Sequence, residues 1–249
     1  MVETAQASPR RNDRPLAIVP AFNEAGGVAE VVKSLLDQQV DVLVVDDGSS
    51  DATSQLAHEA GATVITLPTN LGIGGALLTG FRFARDNKYE FAFQCDADGQ
   101  HSPEFVHRLL DPLRDGRADL VIGSRFAQGS NDYPVSGVRR IVMKILARTI
   151  TRISGVRLSD VSSGFRGFGQ RAIKVFADSY PNEYMESVEA LVIAARAGLN
   201  IEEVPVSMSE REWGEPAANS WRAAVKTFRM LWSVLLLRLW PARRPTWES

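Results

Sequence analysis

Acidic side chains follow three of the short apolar segments in the first half of the chain. Glu24 follows one of them, Asp46 and Asp47 follow another, and Asp96 and Asp98 follow a third. Carboxylates gathered in one place would repel one another and would lose hydration on burial. A divalent cation and the hydroxyl groups of a ligand such as a ribose would relieve that cost. These residue types therefore favour a site for a cation and a polar ligand.

The spacing of Asp96 and Asp98 indicates which cation suits this site. In an extended segment alternate side chains lie on the same side, so both carboxylates would face one way. Carboxylate oxygens suit Mg²⁺ and Mn²⁺, and Mg²⁺ also keeps substrate phosphate oxygens in its coordination shell. We therefore expect Mg²⁺ or Mn²⁺ as the cofactor.

Each acidic cluster has a simpler explanation when it is taken alone. An Asp-x-Asp pair is common in turns and caps, Gly48 suits a tight turn, and Ser50 or Asp51 suits the start of a helix. Turn chemistry does not explain why two acids end a buried strand, nor why the pattern recurs at another strand. The recurrence favours one shared ligand site over separate turns.

The elements that must position these side chains alternate along the chain. Short runs rich in Val, Ile and Phe predict strands buried on both faces, at 16–19, 42–45, 63–67, 90–95 and 119–122. The segments between them predict helices, at about 24–38, 51–60, 75–87 and 103–115. This alternation predicts an α/β fold with a mostly parallel central sheet, in which ligands bind beyond the carboxyl ends of the strands.

A dinucleotide-binding fold is the main alternative for such a sheet. Its glycine-rich fingerprint belongs in the turn after the first strand, but that turn carries Glu24 in this chain. The segment Gly72-Ile73-Gly74-Gly75 follows the third strand and lacks the third glycine at the fingerprint spacing. We interpret it as a tight loop that begins a helix, whose first turn can still face a ligand.

The second half of the chain predicts two basic amphipathic helices. Apolar residues recur at helical spacing over 138–153, beside a basic stripe formed by Arg140, Lys144, Arg148 and Arg152. A helix at about 183–197 and a strand at 201–208 follow, and a last helix carries an apolar stripe over 221–235. We expect the basic stripes to meet an anionic membrane surface. The alternatives are a solvated face for the first helix and, for the last, docking on the core or an interface in a homo-oligomer.

The composition limits the classes of protein to consider. The chain has 249 residues, of which 45% are hydrophobic and 23% charged, and its formal net charge is −2; these are values of an ordinary globular protein. The single cysteine excludes an internal disulfide framework and a cysteine-cluster metal site, and the 3 histidines argue against a histidine zinc site. The basic residues form helical stripes within an otherwise acidic chain, which argues against nucleic-acid binding.

Three segments are expected from the distribution of polar and apolar residues. Residues 1–14 are polar and lack the apolar core of a signal peptide, which predicts a disordered tail. Residues 15–210 predict the α/β domain, and residues 211–249 predict the C-terminal amphipathic segment. That segment lacks the run of about 20 apolar residues that spans a bilayer, so we expect it to lie on a membrane or on a partner protein.

Six motifs occur in order along the chain: Pro20-Ala21-Phe22-Asn23-Glu24, Val45-Asp46-Asp47-Gly48-Ser49, Asn70-Leu71-Gly72, Asp96-Ala97-Asp98, Gly123-Ser124-Arg125 and Ser163-Gly164-Phe165-Arg166. Together they resemble the family 2 glycosyltransferases of the GT-A fold. Within that family the sequence is most similar to dolichyl-phosphate mannose synthases and bacterial polyprenyl-phosphate glycosyltransferases. The resemblance runs from about Leu16 to Gly214. It implies a single GT-A domain that transfers a sugar, with inversion, from a UDP- or GDP-hexose to a polyprenyl phosphate at the cytoplasmic face of the membrane.

The resemblance also implies which residues bind the donor. By position, the residues that would hold the base and the ribose are Pro20, Phe22, Glu24, Val45 and Asp47. The residues that match the metal–diphosphate motif are Asp96, Ala97 and Asp98. Two further positions match arginines that contact the donor, Arg125 and Arg211.

A third acidic position is expected near the metal. Glu189 falls where the family has an acidic residue in a Gln-Met-Glu segment, but Ser187 replaces the glutamine of that segment. We therefore expect Glu186 to serve as the third metal ligand. The catalytic residues implied by the resemblance are Asp98, Arg125, Glu189 and Arg211.

The acceptor decides whether the reaction needs a strong base. A phosphate monoester loses its second proton at a pKa of about 6 and is largely ionised at neutral pH, whereas a hydroxyl acceptor needs a positioned carboxylate. Arg166 is expected to bind the acceptor phosphate, or else to pair with one of the acids. The alternative functions are transfer to a hydroxyl acceptor and an inactive, membrane-bound scaffold.

Overall fold

The computed structural model describes residues 14–99, 103–124, 151, 158–161, 163–181 and 186–207. Within these residues lie seven strands: β1 (Leu16–Ala21), β2 (Asp41–Asp46), β3 (Thr63–Thr66), β4 (Phe91–Gln94), β5 (Leu120–Ser124), β6 (Arg166–Gly169) and β7 (Ile201–Pro205). They also hold six α-helices: α1 (Val28–Leu36), α2 (Thr53–Glu59), α3 (Gly72–Asp86), α4 (Val106–Arg114), α5 (Gln170–Asp178) and α6 (Glu186–Arg196).

The seven strands form one sheet in the order β3-β2-β1-β4-β6-β5-β7. Strand β6 runs antiparallel to both of its neighbours, β4 and β5, and the other pairs are parallel. The prediction of an α/β fold with a mostly parallel sheet is therefore confirmed. Because β1 lies between β2 and β4 and is parallel to both, the carboxyl ends of these three strands meet at one edge of the sheet.

Strand β6 and helix α5 are two elements that we did not predict from the sequence. Strand β6 has the sequence Arg-Gly-Phe-Gly, which contains two glycines, a charge and no β-branched residue, so it lacks the usual signal of a strand. Hydrogen bonding to β4 and β5 on its two sides makes it a strand nonetheless. Helix α5, in contrast, buries apolar residues at helical spacing and could have been predicted from that period.

The core lies in two layers, one on each face of the sheet. Helices α3, α5 and α6 cover one face, and α1, α2 and α4 cover the other. Four aromatic rings, those of Phe81, Phe168, Phe176 and Tyr180, pack together and join α3 to β6 and α5; the centroids of Phe81 and Phe168 are 4.8 Å apart in an edge-to-face arrangement. Burial of the strands on both faces explains their continuous apolar sequences.

The predicted helices that fall on described residues are present, but their starts differ from the sequence pattern: α1, α2 and α4 begin later, whereas α3 begins earlier, at Gly72 rather than near residue 75. Helix α1 begins at Val28 rather than near Glu24, because the chain first makes a turn in which the Gly27 amide donates to the Glu24 carbonyl at 3.1 Å. None of the helices in this part of the chain is both long and apolar enough to cross a membrane. Apart from Arg14 and Thr151, the predicted helices over 138–153 and 221–235 and the tail over 1–14 lie outside the described residues, as does the boundary at 210.

Candidate active site

A cleft of ≈ 240 Å³ opens where the carboxyl ends of β1, β2 and β4 meet. Seven of the residues predicted to bind a ligand line it together: Pro20, Phe22, Glu24, Asp47, Asp96, Ala97 and Asp98. Ala21, Ile73 and Ala76 complete the lining formed by the described residues. The structure therefore brings the carboxylates of three separate strand ends into one cleft.

Hydrogen bonds between two loops fix the segment that carries Glu24. Asn23 has a φ of 56°; its amide donates to Ser49 Oγ at 2.9 Å, and its side-chain Oδ1 accepts from the Ser50 amide at 2.9 Å. The Glu24 amide donates to Thr53 Oγ1 at 2.9 Å. Asparagine tolerates the left-handed backbone conformation better than most residues. The loop after β1 is thus held by the loop after β2.

Asp51 strengthens the same connection between the two loops. Its carboxylate accepts hydrogen bonds from the amides of Thr53, at 3.0 Å, and Ala25, at 3.2 Å, and from the Thr53 hydroxyl. Burial acts to raise the pKa of Asp51, but the hydrogen bonds from Thr53 and Ala25 outweigh it and lower that pKa. The N-cap of α2 is Ala52 rather than Asp51 as the sequence suggested, but Asp51, one residue earlier, accepts from the amide of the first helical residue, Thr53.

The two acids that end β2 have different surroundings. Asp46 is buried, and its carboxylate accepts hydrogen bonds from the amide and hydroxyl of Ser49 and from the hydroxyl of Ser54. These bonds close the turn after the strand. The simpler explanation by turn chemistry therefore holds for Asp46, while Asp47 faces the cleft.

Asp47 connects the cleft to the start of α3 by hydrogen bonds. Its Oδ1 accepts from the Leu71 amide at 2.7 Å, and its Oδ2 accepts from the Gly72 amide at 2.8 Å. A carboxylate at a helix N-terminus is stabilised by the unpaired amides and by the helix dipole. Because a carboxylate has about four acceptor positions, Asp47 retains capacity to accept from a ligand in the cleft.

Two exposed apolar side chains, which we call the apolar wall, also line the cleft. Phe22 is 46% exposed although it is a large aromatic residue, and Ile73, which also lines the cleft, is 40% exposed. Exposed aromatic faces of this kind suit stacking on a planar ring such as a nucleobase. Ile73 was not among the predicted ligand-binding residues. An apolar side chain within the glycine-rich segment 72–75 is the signal that could have identified it.

The Asp96-Ala97-Asp98 segment forms the other wall. Asp98 is buried, and Gln94 Nε2 donates to Asp96 Oδ1 at 3.3 Å. The pKa of the neighbouring Cys95 thiol is raised well above its usual value, first by burial and then by the negative charges of Asp96 and Asp98. Both aspartates line the cleft, Asp98 buried and Asp96 half-buried, and a cation bound there would offset their negative charges.

The donor atoms of this wall fit a Mg²⁺ or Mn²⁺ ion that is bound jointly by protein and substrate. Among the described residues, no group of three Asp, Glu, His or Cys side chains could hold a metal on its own. Mg²⁺ is commonly held by one or two carboxylates together with substrate phosphates and water, which matches the pair Asp96 and Asp98. The side chain of Glu186, the expected third ligand, lies outside the described part of the structure.

Two predicted ligand-binding residues have other roles. The Val45 side chain is 0% exposed and packs in the core beneath α3, so it cannot contact a ligand in the cleft. Arg166 is 1% exposed, and its guanidinium donates to the carbonyls of Val161, Ser163 and Ser187. The Val45 side chain therefore does not supply the contact with base and ribose expected of this residue, and the expectation that Arg166 binds the acceptor phosphate is corrected. Both were inferred from motif position, which does not reveal burial.

Glu189 is not among the described residues that line the cleft. Glu189 is half-buried on α6. Arg125 and Arg211 lie outside the described residues.

Comparisons with known proteins identify relatives over most of the chain. Residues 16–176 match the family model described as Glycosyl transferase family 2. The polyprenol monophosphomannose synthase of Mycolicibacterium smegmatis is 34% identical over 221 residues, which cover 84% of this chain and 82% of that protein. The undecaprenyl-phosphate mannosyltransferase of Micrococcus luteus is 35% identical over 214 residues, which cover 81% of this chain and 86% of that protein.

A solved structure shares the fold. Glucosyl-3-phosphoglycerate synthase from Mycobacterium tuberculosis, in complex with Mn²⁺, uridine diphosphate and phosphoglyceric acid, superposes with a TM-score of 0.62. The two sequences are 22% identical, and the match covers 90% of this chain and 78% of the other. This likeness concerns the fold alone, and it confirms the expected GT-A architecture.

Proposed function

Because the chain belongs to glycosyltransferase family 2, we propose that it transfers a hexose from a UDP- or GDP-sugar to a polyprenyl phosphate, with inversion and with Mg²⁺ or Mn²⁺. The single observation that carries this function is the shared cleft, in which Glu24, Asp47 and Asp98 converge from three strand ends. Carboxylates at such an edge suit a nucleotide that brings both hydroxyl groups and a metal-bound diphosphate.

In this proposal the nucleoside of the donor lies between the apolar wall and the carboxylates of Glu24 and Asp47. Phe22 and Ile73 supply apolar surface for the base, Asp47 accepts a hydrogen bond from it, and Glu24 accepts from the ribose hydroxyls. Support comes from the exposure of Phe22 and Ile73 within the cleft and from the hydrogen bonds that fix Asp47 and Glu24.

The donor's diphosphate lies at the other wall, where Asp96 and Asp98 would hold the metal. When bound, Mg²⁺ or Mn²⁺ would stabilise the negative charge that the leaving nucleoside diphosphate gains. On the family resemblance, we assign Arg125 and Arg211 to stabilising this same negative charge. On the same basis we place Glu186 and Glu189 near the metal. Ala97 keeps the two aspartates one residue apart and adds no bulk to the cleft.

The proposed acceptor is a lipid phosphate. The relatives in Mycolicibacterium smegmatis and Micrococcus luteus are a polyprenol monophosphomannose synthase and an undecaprenyl-phosphate mannosyltransferase. A phosphate acceptor is already largely ionised at neutral pH, so transfer to it needs no strong general base. The basic stripe of Arg140, Lys144, Arg148 and Arg152 would hold the protein at an anionic membrane, on the cytoplasmic side where nucleotide sugars are available.

Transfer assays with a panel of donors test this function. The full chain is incubated with labelled UDP- or GDP-hexoses, Mg²⁺ or Mn²⁺, and either undecaprenyl phosphate in detergent or a soluble hydroxyl acceptor. We expect lipid-linked product that depends on the metal and falls at least about a hundredfold in Asp98→Asn, since charge-stabilising groups contribute on that scale. The matched control is Asp111→Asn on the exposed surface of α4, which should keep full activity. Transfer to the soluble acceptor with no gain from undecaprenyl phosphate would refute the lipid acceptor.

A further inference from the structure

The segment before β6 approaches one of the two proposed metal-binding carboxylates. If Gly164 carried a side chain, its Cβ would lie 2.9 Å from Asp96 Oδ2, 3.4 Å from Asp96 Oδ1 and 3.3 Å from Gln94 Nε2. A carbon atom does not normally come within 3.0 Å of such an oxygen, so the carboxylate would have to move. The backbone of Gly164 is not in the left-handed region. Glycine is therefore required at this position because a side chain would not fit beside Asp96, and not because of its backbone conformation.

Glu203 holds one side of this segment in place. Its carboxylate, on β7, accepts hydrogen bonds from the Ser159 amide at 2.9 Å and the Asp160 amide at 2.7 Å. Bonds from a charged acceptor to backbone amides are stronger than those between neutral groups. The chain entering β6 is thus fixed to β7, the edge strand on the far side of β5.

Arg166 fixes the other side of the segment before β6. Its Nε donates to the Ser163 carbonyl at 2.8 Å, its second terminal nitrogen donates to the Val161 carbonyl at 3.2 Å, and its first donates to the Ser187 carbonyl at 2.8 Å. Burial of a guanidinium is costly unless its donors are satisfied. These three bonds join the segment before β6 to the first turn of α6. They leave Gly164 little freedom to move away from Asp96.

We propose that Gly164 is a positioning residue for the Asp96 carboxylate, and that Arg166 and Glu203 fix the backbone that carries it. The close backbone limits where the carboxylate can lie and directs it toward the metal–diphosphate position. This role rests on the proposed function, because it requires that Asp96 binds the metal together with the donor. Mg²⁺ and Mn²⁺ sites depend on ligand geometry, since Mg²⁺ demands near-ideal octahedral coordination.

Gly164→Ala is the variant that tests this role, and Gly169→Ala is its matched control. Gly169 ends the short strand β6, outside the left-handed region, and a Cβ there would meet its nearest neighbour at an ordinary 3.5 Å. Because the atom displaced in Gly164→Ala is the end of a side chain, the fold should persist. The measurements are Mn²⁺ binding in the presence of UDP or GDP by electron paramagnetic resonance, nucleotide binding without metal by calorimetry, and the midpoint of thermal unfolding.

We expect Gly164→Ala to weaken Mn²⁺ binding about ten- to a hundredfold, the range found when groups that orient metal ligands are changed. Nucleotide affinity without metal and the unfolding midpoint should stay at the wild-type values, and Gly169→Ala should match wild type in all three measurements. Wild-type Mn²⁺ affinity in Gly164→Ala would overturn the positioning role alone. An equal loss of metal-free nucleotide affinity would also overturn it, because the whole cleft would then be disturbed. A wild-type protein that binds no Mn²⁺ with either nucleotide would overturn the proposed function as well.

Discussion

Replacing Asp47 by Asn should destabilise the fold even without a ligand, because Asp47 joins the cleft to helix α3. The carboxylate is buried and accepts from two backbone amides, at 2.7 and 2.8 Å. Asparagine has one carbonyl oxygen, so its NH₂ group would face the second amide and leave it without an acceptor.

The size of the effect follows from these contacts. A hydrogen bond to a charged acceptor contributes about 1.5–3 kcal/mol, and a negative charge at a helix N-terminus contributes about 0.3–1 kcal/mol. We therefore expect Asp47→Asn to lower the free energy of unfolding by about 2–4 kcal/mol. In a domain of this size each kcal/mol shifts the unfolding midpoint by about 2–4 °C, so a decrease of about 5–15 °C is expected.

Urea unfolding followed by circular dichroism at neutral pH, with no nucleotide or metal, measures this change. Asp37→Asn is the matched control, because Asp37 is exposed at the end of α1, and it should unfold at the wild-type midpoint. If Asp47→Asn also unfolds there, the two amide bonds do not stabilise the start of α3, and Asp47 does not join the cleft to that helix.

Two further substitutions and one labelling experiment probe the cleft, the loops and the buried end of β4. Phe22→Ala should weaken nucleotide binding, measured by calorimetry, about five- to a hundredfold, because stacking of one base contributes about 1–3 kcal/mol, while the exposed position of Phe22 predicts an unchanged unfolding midpoint. Asp51→Asn should reduce the free energy of unfolding at neutral pH. The folded pKa of Asp51 lies below its ordinary 3.8, so the stabilisation by its carboxylate is complete above pH 3.8 and is lost as the pH falls through the folded pKa. Denaturation curves of the variant and the wild type should therefore converge in acid. The buried Cys95 thiol, whose pKa is raised, should resist a disulfide reagent in the native protein at mildly alkaline pH and react fully in denaturant.

Each of these expectations has an outcome that contradicts it. Unchanged nucleotide affinity in Phe22→Ala would remove the stacking role. A difference in stability between Asp51→Asn and wild type that persists undiminished in acid would show that the lost bonds do not depend on ionisation. Rapid labelling of native Cys95 would indicate that the end of β4 opens to solvent.

The sequence determined the alternation of elements and the edge of the sheet at which ligands bind. Continuous apolar runs end in polar residues at Glu24, Asp47 and Asp98, and parallel strands direct their carboxyl ends to one edge. These are local properties, since strand burial and the position of a strand's end both follow from neighbouring residues. The strands at 16–21, 41–46 and 91–94 were therefore predictable, whereas β6 was not, because its Arg-Gly-Phe-Gly sequence becomes a strand only through β4 and β5.

Which charged residues serve the cleft and which serve the fold depends on contacts between segments that are distant along the chain. Asp46 and Asp47 are neighbours of the same type, yet one closes a turn with Ser49 and the other faces the cleft. Arg166 resembled a phosphate ligand by its motif, but the carbonyls that accept its hydrogen bonds include one 21 residues away, at Ser187. The physical reason is that a charge is satisfied by whichever donors and acceptors the folded chain brings to it, and distant segments supply many of these groups.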